Sequence, residues 1–261
     1  MNFIDAIILG VVEGITEFLP ISSTGHMVLT GHLLGIGGDA FTKSFEILIQ
    51  LGAILAIVFL YRKTLYTDMR SVSKVAVAFL PTAIAGLFLY DLVKKYLIGS
   101  ELVVVLALFI GGIVIVLFEK FFTKKVEIED TDTTEIFKNV TYKQAVLIGL
   151  CQVLAFIPGV SRSAATILGG EALRLSRKTV VEFSFLLAIP TMLAASVLDV
   201  YKHPSMFVED QIGLLVTGFI TAFVVALISV TFLLKYIQKN NFTAFGYYRI
   251  ILAVAYALLF I

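Results

Sequence analysis

Apolar runs of membrane-spanning length recur along the chain, separated by short polar turns. Residues 45–61, 75–90, 102–118, 183–198, 211–234 and 242–261 form six such runs. Glu46 is the only charged residue in the first and Arg249 the only one in the last, and the other four have none. A bilayer-crossing helix takes roughly 17–25 mostly apolar residues. The pattern therefore predicts six spans.

Two further apolar regions are interrupted. Residues 3–36 break at Pro20, followed by Ser22-Ser23-Thr24-Gly25. Residues 142–173 break at Pro158-Gly159, followed by Ser161-Arg162-Ser163. Each half is too short for a full crossing. Broken backbone survives at membrane depth only where protein or a watery cavity satisfies its amides. Both regions are expected to be re-entrant helix–loop–helix pairs. Two short tilted spans, or one proline-kinked helix, are the other readings.

At an offset of 138 residues, Phe18, Pro20, Ser23 and Gly31 fall on Phe156, Pro158, Ser161 and Gly169. Each broken pair is followed by three spans. Three is odd, so the second copy is expected to be upside down relative to the first, a design in which discontinuous helices meet at the midplane and mark the site. The expected fold is an all-α integral membrane protein of two inverted repeats. It is a single membrane domain, 1–261, with six full spans and four half-helices. Repeat one is 1–120, a cytoplasmic linker is 121–141 and repeat two is 142–261. The linker's acidic run (Glu127, Glu129, Asp130, Asp132) reads as solvated chain.

Composition agrees. Of 261 residues 59% are hydrophobic and 15% charged, against about half and about a quarter in soluble chains. A net charge of +1 gives no nucleic-acid footprint. The single Cys151 forms no internal disulfide. Residues 1–5 lack a basic n-region, so the first apolar segment is expected to stay in the mature protein.

Charge orients the chain. With the N-terminus on side one, side two receives Arg62, Lys63, Arg70, Lys74, Lys120, Lys124, Lys125, Lys138, Lys143, Arg174, Arg177, Lys178, Lys235 and Lys239. Side one receives Lys43, Lys94, Lys95 and Lys202. The positive-inside rule makes side two cytoplasmic. Both termini and the mouth of the first broken pair are then expected on the outer face.

A charged side chain near the bilayer centre costs about 2.5–3.5 kcal/mol on insertion scales, which makes it a functional candidate. These residues gather at the breaks. Glu13 and Glu17, i and i+4, share a helix face. They suit a divalent cation, Mg²⁺ or Ca²⁺, or line a hydrated cavity without one. His26 stands three residues after Ser23 and is a candidate general base, the plainer reading being a packing residue. Arg162 sits between Ser161 and Ser163 with Thr166 one turn on. A guanidinium, hydroxyls and a helix N-terminus suit phosphate oxygens; a structural pair with Glu13 or Glu17 is the competing reading. In the repeat alignment Thr24 meets Arg162, and one tip carries acid and imidazole while the other carries the cation. Glu46 and Gln50 support the site or lie at the interface. The Gly10/Gly14 spacing suggests close helix packing. His32 and His203 are given no role.

Two motifs bear a resemblance. Glu13-Gly14-Ile15-Thr16-Glu17 with its continuation Pro20-Ile21-Ser22-Ser23-Thr24-Gly25-His26, and Pro158-Gly159-Val160-Ser161-Arg162-Ser163-Ala164-Ala165-Thr166, resemble the two signature motifs of the undecaprenyl-diphosphate phosphatase family of the bacitracin-resistance type. Motif spacing, length and plan fit over essentially the whole chain. The resemblance implies hydrolysis of undecaprenyl diphosphate to undecaprenyl phosphate and inorganic phosphate. That would recycle the cell-wall lipid carrier and confer bacitracin resistance. It also implies dependence on Mg²⁺ or Ca²⁺ and a site open to the outer face of the bacterial inner membrane. Catalytic residues are then expected at Glu17, Ser23, His26 and Arg162. Substrate contacts are expected at Ser22, Ser161, Arg162, Ser163 and Thr166, and metal ligands at Glu13 and Glu17. The nucleophile is Ser23 or a water, with His26 or Glu17 as base. Partners are a polyprenyl diphosphate and membrane lipid, with no nucleic acid; the sequence does not give the oligomeric state. From residue pattern alone, a transporter or lipid flippase of inverted-repeat type is the competing class.

Overall fold

In the computed structural model the apolar runs are all helical. Residues 1–96, 100–122, 140–202 and 209–261 are described, and among them there is no strand. His203 and the acidic run of the linker lie outside the described residues. The helices are α1 (Phe3–Thr16), α2 (Ser23–Leu33), α3 (Ala40–Leu60), α4 (Arg62–Thr67), α5 (Met69–Tyr96) and α6 (Glu101–Phe121), followed by α7 (Tyr142–Val153), α8 (Arg162–Ala172), α9 (Arg177–Lys202), α10 (Glu209–Tyr236) and α11 (Thr243–Phe260). Six are long and apolar enough to cross a membrane: α3, α5, α6, α9, α10 and α11. They match the six expected runs. Several begin earlier than the apolar pattern indicates, because amphipathic turns such as 177–182 continue the helix. The short α4 has no apolar signal and was not expected.

Both broken regions are helix pairs, and local chemistry sets their ends. Asn2 caps α1 through the amides of Ile4 and Asp5, and Asp5 reaches back to the Asn2 amide at 2.7 Å. Thr141 and Gln144 form the same reciprocal box at α7. Ser22 caps α2 through the Gly25 amide and Ser161 caps α8 through the Ala164 amide, each at 3.2 Å. Both serines have positive φ, 73° and 78°. Both return helices also end alike. Ile36 N–H bonds Gly31 O and Leu175 N–H bonds Gly170 O, with Gly35 and Arg174 in the left-handed region.

These caps correct the register read from sequence. Ser22, not Ser23, is the counterpart of Ser161, and Gly31 that of Gly170, one residue beyond the offset of 138. Arg162 therefore stands opposite Ser23 rather than Thr24. The sequence alignment followed the two prolines, and the chain between proline and cap is one residue longer in the second pair.

Packing crosses between the halves. α1 lies on α10 and α7 on α5; α3 also meets α10, and α9 meets α5. α3 meets α9, and α6 meets α11. Gly10 admits the Gly218 carbonyl of α10, and Gly149 admits the Ala78 carbonyl of α5. Gly14 sits as tightly on α10, as its spacing with Gly10 suggested. The outer surfaces are apolar. Ile110, Val114 and Leu117 on α6 and Ile220, Val224 and Ile228 on α10 form exposed stripes at helical spacing, faces suited to hydrocarbon rather than water. The main core lies around the two breaks, with Phe18, Phe183 and Phe185 at its centre.

Candidate functional site

The two breaks meet. Glu17, just past the end of α1, points its carboxylate across to α8. Its Oε1 accepts from Arg162 Nη2 at 2.9 Å, with both side chains buried. Its Oε2 accepts the Ser23 hydroxyl. A carboxylate at a helix C-terminus meets the unfavourable end of the dipole, and Arg162 offsets that. The pair is the competing reading of Arg162, and it is present. It does not exhaust the guanidinium. Nη1 donates to Ser184 O and Oγ on α9, while the Nε–H is buried without a protein partner.

Glu17, Ser22, Ser23, Thr24, Ser161 and Arg162 line one cavity of about 220 Å³. Other parts of its wall are apolar: Ile47, Phe156, Ile157, Met192 and Ala195. By helix geometry the first amides of α2 and α8 have no intrahelical partner, and both first turns border this space. A polar end and an apolar side are what a phosphorylated lipid headgroup would require. A smaller recess, of about 40 Å³, adjoins it and shares Thr24, Ile47, Gln50 and Pro158. Lys43 and Glu46 line it, so Gln50 belongs to the main cavity and Glu46 to its neighbour.

Other expected residues hold the tips rather than face the space. Ser163 Oγ donates to Leu19 O at 2.8 Å, tying α8 to the first break. Thr166 Oγ1 sits 2.9 Å from Arg162 O and 2.7 Å from Ser184 Oγ. His26 does not line the cavity. Its Nδ1 lies 2.7 Å from Ser22 O and its Nε2 2.8 Å from Tyr248 Oη. The carbonyl only accepts, so Nδ1 carries a proton. Nε2 then accepts from the tyrosine in the neutral ring. Glu13 is fully buried and neither carboxylate oxygen has a protein partner. Among the described residues no three His, Cys, Asp or Glu side chains cluster as a metal site. His32, given no role, contacts Glu101, which also accepts from Tyr256 Oη at 2.9 Å.

Arg249, noted in the sequence as the lone charge of the last span, was given no role there. Wholly buried on α11, it donates to carbonyls of both breaks: Pro20 O at 3.3 Å, Val160 O at 3.1 Å and Gly159 O at 2.7 Å. It also reaches Ala107 O at 3.0 Å on α6. Gly111 makes room for it, since a Cβ there would lie 2.1 Å from Nη2. Gly159 has φ +96° and its Cβ would meet Val104 O at 2.7 Å, so the break needs glycine on both counts. The signal was available: a lone charge in an apolar span marks a buried partner.

A family model described as bacitracin resistance protein BacA matches residues 6–255. The chain is 46% identical over 256 residues to the undecaprenyl-diphosphatase of Aquifex aeolicus, covering 98% of each chain. It is 47% identical over 259 residues to that of Persephonella marina, covering 99% of each. It is 43% identical over 261 residues to that of Methanococcus aeolicus, covering 100% of each.

Proposed function

The chain belongs to the family of bacitracin resistance protein BacA, and on that premise we propose that it is an undecaprenyl-diphosphatase. It hydrolyses undecaprenyl diphosphate to undecaprenyl phosphate and inorganic phosphate, returning the lipid carrier to cell-wall synthesis and conferring bacitracin resistance. The observation that carries this reading is the contact chain Ser23–Glu17–Arg162 in the wall of one cavity. A hydroxyl on a carboxylate, itself held by a guanidinium, is a nucleophile, a base and a group that orients the base.

The prenyl chain lies along the apolar wall and the diphosphate at the polar end. Arg162 Nε and the first amides of α2 and α8 meet phosphoryl oxygens. Glu17 takes the Ser23 proton as Oγ attacks the terminal phosphorus. The bridging P–O bond breaks with its electron pair on the lipid phosphate, which receives that proton from Glu17. Water then attacks the phosphoserine. One water proton stays on the departing phosphate, and the other passes through Glu17 to Ser23 Oγ. Catalysis here is mainly positioning and charge stabilisation. His26, held between Ser22 O and Tyr248, fixes the strained Ser22 turn rather than acting as base. Ser163 and Thr166 hold the tips together.

A divalent cation, Mg²⁺ or Ca²⁺, fits this site through Glu13, whose buried oxygens have no protein partner, together with Glu17. When bound it would supply positive charge to the phosphoryl oxygens.

The halves 1–120 and 142–261 form inverted repeats within one membrane domain, with linker 121–141, and their broken pairs are re-entrant. The matched caps, the exchange of helix partners and the odd number of spans per half support this. The excess of basic residues on side two supports an inner-membrane protein with both termini and the cavity mouth outward. Its partners are then the polyprenyl diphosphate and the surrounding lipid.

The test is phosphate release from a long-chain polyprenyl diphosphate by detergent-purified protein, with Mg²⁺ or Ca²⁺ and then with chelator. Arg162→Ala and Glu17→Gln serve as controls. Metal-dependent release, absent in both variants, is the expected result. No release from folded, lipid-supplemented protein overturns the reading and leaves a lipid flippase as the alternative to assay.

A further inference from the structure

Gln152 lies in the last turn of α7, 1% exposed, and lines the same cavity as Ser23 and Arg162. Its Nε2 donates to Thr82 Oγ1 on α5 at 2.7 Å and to Thr191 Oγ1 on α9 at 3.1 Å. Each hydroxyl has one proton, and both protons are already placed. Thr82 donates to Gly149 O at 3.3 Å and Thr191 to Leu187 O at 2.8 Å. Both threonines can therefore only accept from Gln152, which fixes the amide the way round in which it stands. The consequence is an Oε1 that is buried, has no protein partner and belongs to a cavity-lining residue. Each threonine follows a proline within its helix, Pro81 and Pro190, so two separate spans bring this station to the cavity.

A carboxamide oxygen repels a phosphate oxyanion and attracts an O–H. We propose that Gln152 Oε1 holds the water that hydrolyses the phosphoryl group. This rests on the phosphatase reading above. The water donates one hydrogen to Oε1, which leaves its lone pair to face phosphorus. As the new P–O bond forms, the P–Oγ bond to Ser23 breaks with its electron pair on Oγ. The hydrogen on Oε1 remains as the hydroxyl of inorganic phosphate, and the other passes through Glu17 to Ser23. Gln152 neither gains nor loses a proton; it positions the water. A protonated phosphoryl oxygen is the other O–H that could occupy the place.

The experiment is a partition measurement on purified, lipid-supplemented protein turning over a polyprenyl diphosphate in the presence of methanol. Lipid monophosphate reports total turnover, and inorganic and methyl phosphate report transfer to water and to alcohol. In Gln152→Leu, water loses its station and methanol does not. Transfer to water should fall about 10²-fold, the cost of a misplaced reactant, and the methyl-to-inorganic phosphate ratio should rise at least several-fold. If both products fall together at constant ratio, the proposal is overturned. A raised KM at constant ratio then assigns the place to a substrate O–H, and unchanged kinetics assigns it to packing. Should Gln152→Leu fail to fold, Thr191→Val frees one Nε2 proton and unpins the amide. It must shift the ratio in the same direction, or the proposal falls. Absence of lipid monophosphate from wild-type protein is a failure of the phosphatase reading itself and is seen before any variant is compared.

Discussion

Glu17 and Arg162, 145 residues apart in sequence, close the two breaks onto each other through a buried ion pair of 2.9 Å. Removing one partner from a buried pair leaves the other charge uncompensated and costs about 3–5 kcal/mol. Arg162→Met and Glu17→Gln should each lower thermal stability in detergent by that order. The double variant Glu17→Gln with Arg162→Met should regain much of the stability and none of the activity. Strictly additive losses would show that the two side chains do not act as a pair.

Ser23 makes one side-chain contact that the mechanism uses, its hydroxyl on Glu17. Ser23→Ala should reduce phosphate release by at least ~10³-fold, the scale of losing a nucleophile, and leave the melting temperature almost unchanged. Acid-quenched wild-type protein should carry phosphate on Ser23 during turnover. Full activity in Ser23→Ala would instead assign the attack to water.

Arg249 supports both breaks from below, so its loss should act on them together. Arg249→Met leaves the Pro20, Gly159 and Val160 carbonyls bare, at on the order of 1–3 kcal/mol each. Gly111→Ala should reproduce the effect with Arg249 intact, because the new Cβ would lie 2.1 Å from Nη2. Thermal unfolding and phosphate release measured together check both variants. A stable, active Gly111→Ala would show that Arg249 can leave its carbonyls without harm.

Glu13 is the metal ligand most open to test, since its oxygens have no other partner. Glu13→Gln should cut phosphate release at low metal by about 10-fold or more and raise the Mg²⁺ or Ca²⁺ concentration needed for half-activity. An unaltered metal titration would remove Glu13 from the site.

Much of this was legible in the sequence because it rests on composition over long windows. The six spans follow from apolar runs with few charges, and both breaks from Pro20 and Pro158-Gly159. Glu17 and Arg162 were singled out because ionisable side chains are costly there without a purpose, and Ser23 through the resemblance of its motif. What stayed hidden depends on contacts between distant residues. That His26 faces Tyr248 rather than the cavity, and that Ser163 binds Leu19 O, depend on which way a helix face turns. The repeat register slipped by one residue because prolines mark a break, whereas Ser22 and Ser161 fix the helix start.

Orientation is open to labelling. In a Cys151→Ala background, a cysteine at Gly38, between α2 and α3, should react with an impermeant maleimide added outside intact spheroplasts. One at Asn240, between α10 and α11, should react only after lysis. The reverse pattern would invert the proposed topology.

The exchange of partners between the halves bears on how the molecule is made. α1 carries Glu13 and leads into Glu17, but it packs on α10, and Arg249 arrives only with α11. A nascent chain stopped before residue 209 therefore has both signature motifs and neither support. The translocon can deliver the early spans and every residue that lines the cavity, but α1 and the two breaks lack these supports until α10 and α11 have been made. Products that stop before α10 are expected to be inert, because a complete cavity lining is not yet a supported one.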